Sequence, residues 1–115
     1  MADGPVVWVT QIPMRRDFET GDLTPSVNIG PATEHGRIEV LNPSSASIYA
    51  SADTVRLLRE KLKAYDFERG DSILGLGDPV MLAICGAILA RYTSNFRVLK
   101  WERRITRYAV VEIAL

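Results

Sequence analysis

The stretch SILGLGDPVMLAICGAILA, residues 72–90, constrains this chain more than any other. Residues 72–76 form a short apolar run that reads as a buried strand. Two glycines then turn the chain, and Asp78 followed by Pro79 marks a helix start. The carboxylate caps a free amide of the first turn, and proline has no N–H to leave unpaired. From Val80 to Leu89 there is no charge, a pattern that predicts a helix covered on most sides. Gly86 costs about 1 kcal/mol in helix propensity, which points to close approach of a neighbouring strand. A strand leading through a tight turn into such a helix is half of a parallel crossover.

The rest of the chain extends that pattern. PVVWVTQIP (5–13) is β-branched, aromatic and bounded by prolines, so it predicts a strand. Residues 14–36 are broken by glycine and proline, carry no helical stripe and read as a long loop, with a possible short strand at SVNI (26–29). GRIEVLNP (36–43) alternates as a strand does, and SIYA (47–50) is a short strand or a turn. Ser51 is the expected cap of a helix with Val55, Leu58, Leu62 and Tyr65 on its apolar side and Arg56, Arg59, Glu60, Lys61 and Lys63 on the other. FRVLKW (96–101) and RYAVVEIAL (107–115), joined by a short turn, predict an antiparallel hairpin. The expected order over one 1–115 domain is β-(long loop)-β-α-β-α-β-β: a small mixed-sheet α/β sandwich in two or three layers. The strands near 37–41, 72–76 and 96–101 are expected to be parallel, with an antiparallel C-terminal edge.

Charge and cysteine content exclude several classes. Fourteen basic and fourteen acidic side chains cancel, which argues against a general nucleic-acid or membrane-surface binder. The balance is uneven: residues 1–50 carry Asp3, Asp17, Glu19, Asp22, Glu34 and Glu39 against Arg15, Arg16 and Arg37, whereas 96–107 carry Arg97, Lys100, Arg103, Arg104 and Arg107 against Glu102. One cysteine and one histidine make neither an intrachain disulfide nor a Cys/His zinc set, so no metal or cofactor is expected. No basic-then-apolar leader opens the chain, and the stretch 79–90 is about half of what a bilayer requires, so a cytoplasmic protein is expected.

Gly75, Gly77 and Asp78 lie where open parallel sheets bind ligands, beyond a strand's carboxyl end. Val80 stands where a dinucleotide fingerprint needs its third glycine, and the lysine of a P-loop is missing. Asp78 also puts negative charge where a phosphate would sit. A turn is the first reading and a small-ligand site the second. Asn42, Ser44 and Ser45 occupy the same position after the preceding strand and admit the same two readings. His35 stands without a catalytic partner at any supporting spacing, and Cys85 in its apolar helix reads as an inert core thiol. Asp17, Glu19 and Asp22 lack the glycine and terminal glutamate of a calcium loop. On the C-terminal hairpin, Arg97, Lys100, Arg103, Arg104 and Arg107 surround Trp101 and Tyr108, a composition suited to an acidic protein partner and less to nucleic acid. Alternation puts Trp101 beside Leu99 and predicts it half-buried.

The run VVWVTQIP, the GDP helix start and RVLKWERRITRY resemble small proteins of tailed phages. The resemblance spans most of the chain and implies a phage accessory protein made in a bacterial host's cytoplasm; it carries over no catalytic residue. With no complete catalytic set, the leading expectation is a non-enzymatic interaction protein that binds a protein partner or itself, as a homo-oligomer. The alternative is a small-molecule or nucleotide-binding domain using the loops after the parallel strands.

Overall fold

The computed structural model describes residues 4–42 and 52–115. Its main sheet has five strands in the order β4-β1-β5-β6-β7: β1 Val6–Val9, β4 Arg37–Val40, β5 Ser72–Leu74, β6 Asn95–Glu102 and β7 Arg107–Ala114. β4, β1, β5 and β6 run parallel, and β7 pairs antiparallel with β6 from Asn95↔Ala114 to Glu102↔Arg107. This is the expected fold class, with the strands near 37–41, 72–76 and 96–101 parallel and the C-terminal edge antiparallel. β1 lies between β4 and β5, so all four of its residues are buried, as a strand covered on both faces must be.

The two α-helices, α1 (Ala52–Leu62) and α2 (Pro79–Leu89), lie on one face. There Val6, Trp8, Ile73 and Phe96 pack against Leu58 and Leu62 of α1 and Met81, Cys85, Ile88 and Leu89 of α2. The opposite face holds Val7, Val9, Leu74, Leu99 and Tyr108, and among the described residues its helical cover is the 3₁₀ helix Gly30–His35, through Ala32. One face thus has a helical layer and the other a partial lid.

Three expectations change. The segment 14–36 is not a bare loop: Met14–Arg16 (β2) and Leu23–Pro25 (β3) form an antiparallel hairpin, and the 3₁₀ helix follows. SVNI (26–29) holds no strand and leads directly into the 3₁₀ helix, whose first residues are Gly30 and Pro31. α2 is not covered on most sides, since Val80, Ala83 and Ala87 face outward. It is an outer layer, and small apolar side chains on its open side leave little surface to hide. The expected strand or turn at SIYA and the Ser51 cap lie outside the described residues.

Candidate functional site

The turn between β5 and α2 is built from both ends. Asp78 caps α2 by accepting a hydrogen bond from the Val80 amide at 3.0 Å. From the end of β1, Gln11 Oε1 accepts the Asp78 amide at 2.7 Å. Thr10 Oγ1 both donates to the Leu76 carbonyl, at 2.7 Å, and accepts the Leu76 amide, at 2.9 Å. Gly77 has φ +77°, and a Cβ there would stand 2.4 Å from the Gln11 side chain. The Leu76, Asp78 and Val80 amides of this turn are therefore held by the protein's own oxygens rather than offered to a phosphate. Asp78→Ala should cost about 1 kcal/mol in urea unfolding while Asp78→Asn, which still caps, costs little; equal losses in both would mean that the carboxylate does more than cap.

Gly75 faces a different space. Here the chain leaves β5 while β6 continues, and a groove of about 860 Å³ opens beside the carboxyl ends of both strands. Its walls are Leu74, Leu76, Leu82, Leu99, Trp101 and Tyr108, and Gly75 lies among them. A Cβ on Gly75 would stand 2.8 Å from Leu82, so glycine lets α2 close on the strand end. Trp101 remains 42% exposed and meets Tyr108 edge-to-face with ring centroids 5.0 Å apart, more open than the alternation with Leu99 predicts. Lys100 also lines the groove, and its ammonium lies 3.7 Å from Glu102.

The basic residues of the hairpin separate into three settings. Arg97 is committed at the far end of β6, where it donates to the Phe67 carbonyl at 2.8 Å and stacks on the Phe67 ring at 4.0 Å. Arg107 makes a two-pronged pair with Glu34 of the 3₁₀ helix, at 3.1 and 2.8 Å, and that guanidinium holds the Glu34 carboxyl below the usual carboxylate range. Arg103 and Arg104 sit in the turn between β6 and β7, exposed and with no ion pair among the described residues. Lys100, Trp101, Arg103 and Arg104 are thus neighbours along one end of the hairpin, and Arg97 and Arg107 have separate structural partners.

His35, an unplaced histidine in the sequence, donates from Nε2 to the Tyr108 carbonyl at 3.0 Å. With Arg107–Glu34 it ties the 3₁₀ helix to the start of β7. Asn42 is buried, and its amide donates to the Thr10 carbonyl at 3.0 Å, extending the β1–β4 ladder. Ser44 and Ser45 lie outside the described residues. Burial pushes the Cys85 thiol up to about 12, so it stays an unreactive thiol in the core. Among the described residues no three His, Cys, Asp or Glu side chains cluster as a metal set, and no helix is long and apolar enough to cross a membrane.

Sequence reasoning missed two features. One is Asp71, fully buried at the start of β5 and surrounded by five donors. Its signal was an acid directly before a buried strand. The other is the β2–β3 arm, whose six strand residues are all exposed and whose tip carries Phe18 without any cover.

Comparison with known proteins finds no match among curated proteins or solved structures. A family model described as Phage Pam3 gp32-like protein matches residues 5–115, from the start of the central strand through the whole C-terminal hairpin. The segments that resembled phage proteins are therefore parts of one continuous family match, and the chain belongs to the phage Pam3 gp32-like protein family.

Proposed function

We propose that this phage protein is a non-enzymatic interaction module that assembles with copies of itself through the edge strand β7. The supporting observation is the state of that edge. The Leu115 amide donates to the Ser94 carbonyl at 2.8 Å, which makes 94 and 115 a hydrogen-bonded pair of the β6–β7 ladder. Antiparallel pairs alternate, so Tyr108, Val110, Glu112 and Ala114 present their peptide N–H and C=O groups away from β6. The His35 bond to the Tyr108 carbonyl agrees with that phase and occupies the first of these positions. The stretch from Val110 to Ala114 remains a strand edge with Val110 and Val111 both exposed. Such an edge is a template for a second strand. Antiparallel pairing of two β7 edges sets Val111 beside its own copy on one face of a continuous sheet.

A second reading, a small-molecule site, has the groove beside Gly75 in its favour, because ligands of open α/β sheets sit beyond the carboxyl ends of strands. The apolar walls suit an apolar ligand better than a nucleotide, whose phosphates would need the amides that Thr10, Gln11 and Asp78 already hold.

Sedimentation across a wide concentration range tests the edge. Wild type should reach dimer mass, and Val110→Lys, a charge on the exposed edge, should shift it to monomer with its melting curve preserved. Monomer mass for the wild type at every concentration refutes self-assembly.

A further inference from the structure

The chain carries a projection tipped by an exposed aromatic ring and an apolar recess that do not fill one another. The projection is the arm β2–β3. Its tip, DFETGD (17–22), is rigidly made: the Asp17 amide donates to the Asp22 carbonyl at 2.8 Å, and Asp17 Oδ1 accepts the Glu19 and Thr20 amides at 2.7 and 3.1 Å. Arg16 donates to the Gly21 carbonyl at 2.6 Å and ties the strand to the turn. So much local bonding fixes the tip, yet Phe18 on it is 105% exposed, and Met14 and Leu23 on the arm are also open. A free phenylalanine on an ordered projection is the form of an anchor, since a buried aromatic ring contributes about 150–250 Å² of contact. The recess is the groove walled by Leu76, Leu99, Trp101 and Tyr108. The segment after the arm borders it through Val27 and Asn28, whereas the six strand residues of the arm are exposed and do not line it.

Charge decides between occupants. Residues 17–22 hold Asp17, Glu19 and Asp22, and the Arg16 guanidinium is engaged by the Gly21 carbonyl, while the Glu19 and Asp22 carboxylates make no ion pair among the described residues. In the turn that follows groove residue Trp101 stand Arg103 and Arg104, exposed and with no ion pair among the described residues. An aromatic anchor flanked by acids has its complement in an apolar groove followed by a turn with two arginines, and both belong to this chain.

We infer that the arm of one copy docks in the groove of another, Phe18 against Trp101 and Tyr108, and Glu19 and Asp22 against Arg103 and Arg104. The inference rests on the self-assembly reading; its groove includes the Tyr108 side chain of β7, whereas the edge pairing uses the outward peptide groups from Val110 to Ala114. It gives a contact between unlike patches, which builds rings or chains, or closes a pair by reciprocal exchange.

The test compares association constants by sedimentation and follows tryptophan emission as concentration rises. Trp8 is buried already, so a blue shift on association reports cover over Trp101. Phe18→Ser should weaken association by about tenfold or more and abolish the shift, as loss of a central aromatic anchor does. The pair Glu19→Lys with Asp22→Lys and the pair Arg103→Glu with Arg104→Glu should each weaken association, and mixing the two doubly reversed proteins should restore it. All these side chains are exposed, so melting curves should match wild type. Unchanged association and emission in Phe18→Ser, or no restoration on mixing, overturns docking of the arm. If Val110→Lys alone dissociates the protein, the edge reading stands and the arm proposal fails. If Phe18→Ser alone does so, the reverse holds. A groove that captures a small apolar ligand with equal affinity in dispersed and associated protein also overturns it.

Discussion

Asp71→Asn should destabilise the fold by about 3–5 kcal/mol, the loss typical of breaking a buried ion pair. The carboxylate is fully buried and accepts from the Val6 amide at 2.9 Å, Trp8 Nε1 at 3.0 Å and the Asp66 amide at 3.0 Å. Arg69 adds Nε at 2.8 Å and Nη2 at 2.6 Å. One anion thus joins the central strand β1, the turn before β5 and the indole in the core. An amide of the same shape turns N–H groups toward donors that need an acceptor, and unmet buried donors each cost about 1–3 kcal/mol. Burial by itself pushes the Asp71 pKa up; the bonds from Arg69, Trp8 and the Asp66 and Val6 amides outweigh it, and the pKa ends below its ordinary value. A carboxyl depressed in the folded state adds stability above its unfolded pKa, near 3.9, and loses that contribution as pH falls through the folded value. Wild-type stability should therefore decline on acidification below about pH 4, and the Asp71→Asn curve should lose that component. Urea midpoints read at pH 7 and at steps below pH 4 check both statements. Equal midpoints at pH 7 would mean that Asp71 is a bystander in the core.

What could be read from sequence divides along the range of the chemistry. The start of α2 was legible because its causes are local: Asp78 accepts the amide two residues on, and Pro79 fits the first turn. The parallel order was legible because strands separated by helices leave few other connections. The β2–β3 arm was not, since MRR and LTP show no apolar alternation, and both faces of the hairpin are exposed. Its stability comes from the Asp17 turn, which composition reports only as loop residues. The groove was invisible for another reason. Gly75 stands at a ligand position in the sequence, but its groove neighbours Leu82, of α2, and Leu99 and Trp101, of β6, come from two other elements, and no spacing along the chain brings them together. The basic cluster likewise needed the fold: Arg97 and Arg107 look like their neighbours in sequence until Phe67 and Glu34 engage them.

Ile88→Ala should cost about 2–5 kcal/mol, whereas Val80→Ala, eight residues earlier on the same uncharged helix, should cost about 0.5 kcal/mol or less. The two residues are equally apolar in sequence, so the difference must come from packing. Ile88 is 4% exposed and sits among Leu89, Cys85 and the strand residues of the helical face. Val80 is 46% exposed on the outward side with Ala83 and Ala87. Truncating Ile88 removes three carbons from a close-packed layer and leaves a cavity that the neighbours fill only in part, and both effects add. Truncating Val80 removes surface that water already touches. With a urea m-value of about 1–3 kcal/mol/M, the Ile88→Ala midpoint should fall by roughly 1–2 M and the Val80→Ala midpoint should stay near wild type. A large loss at Val80 would mean that α2's open face is covered in the protein as it exists in solution, by a second copy. That outcome would move the assembly surface from the β7 edge to the helical layer, because an exposed valine contributes little to stability unless something buries it.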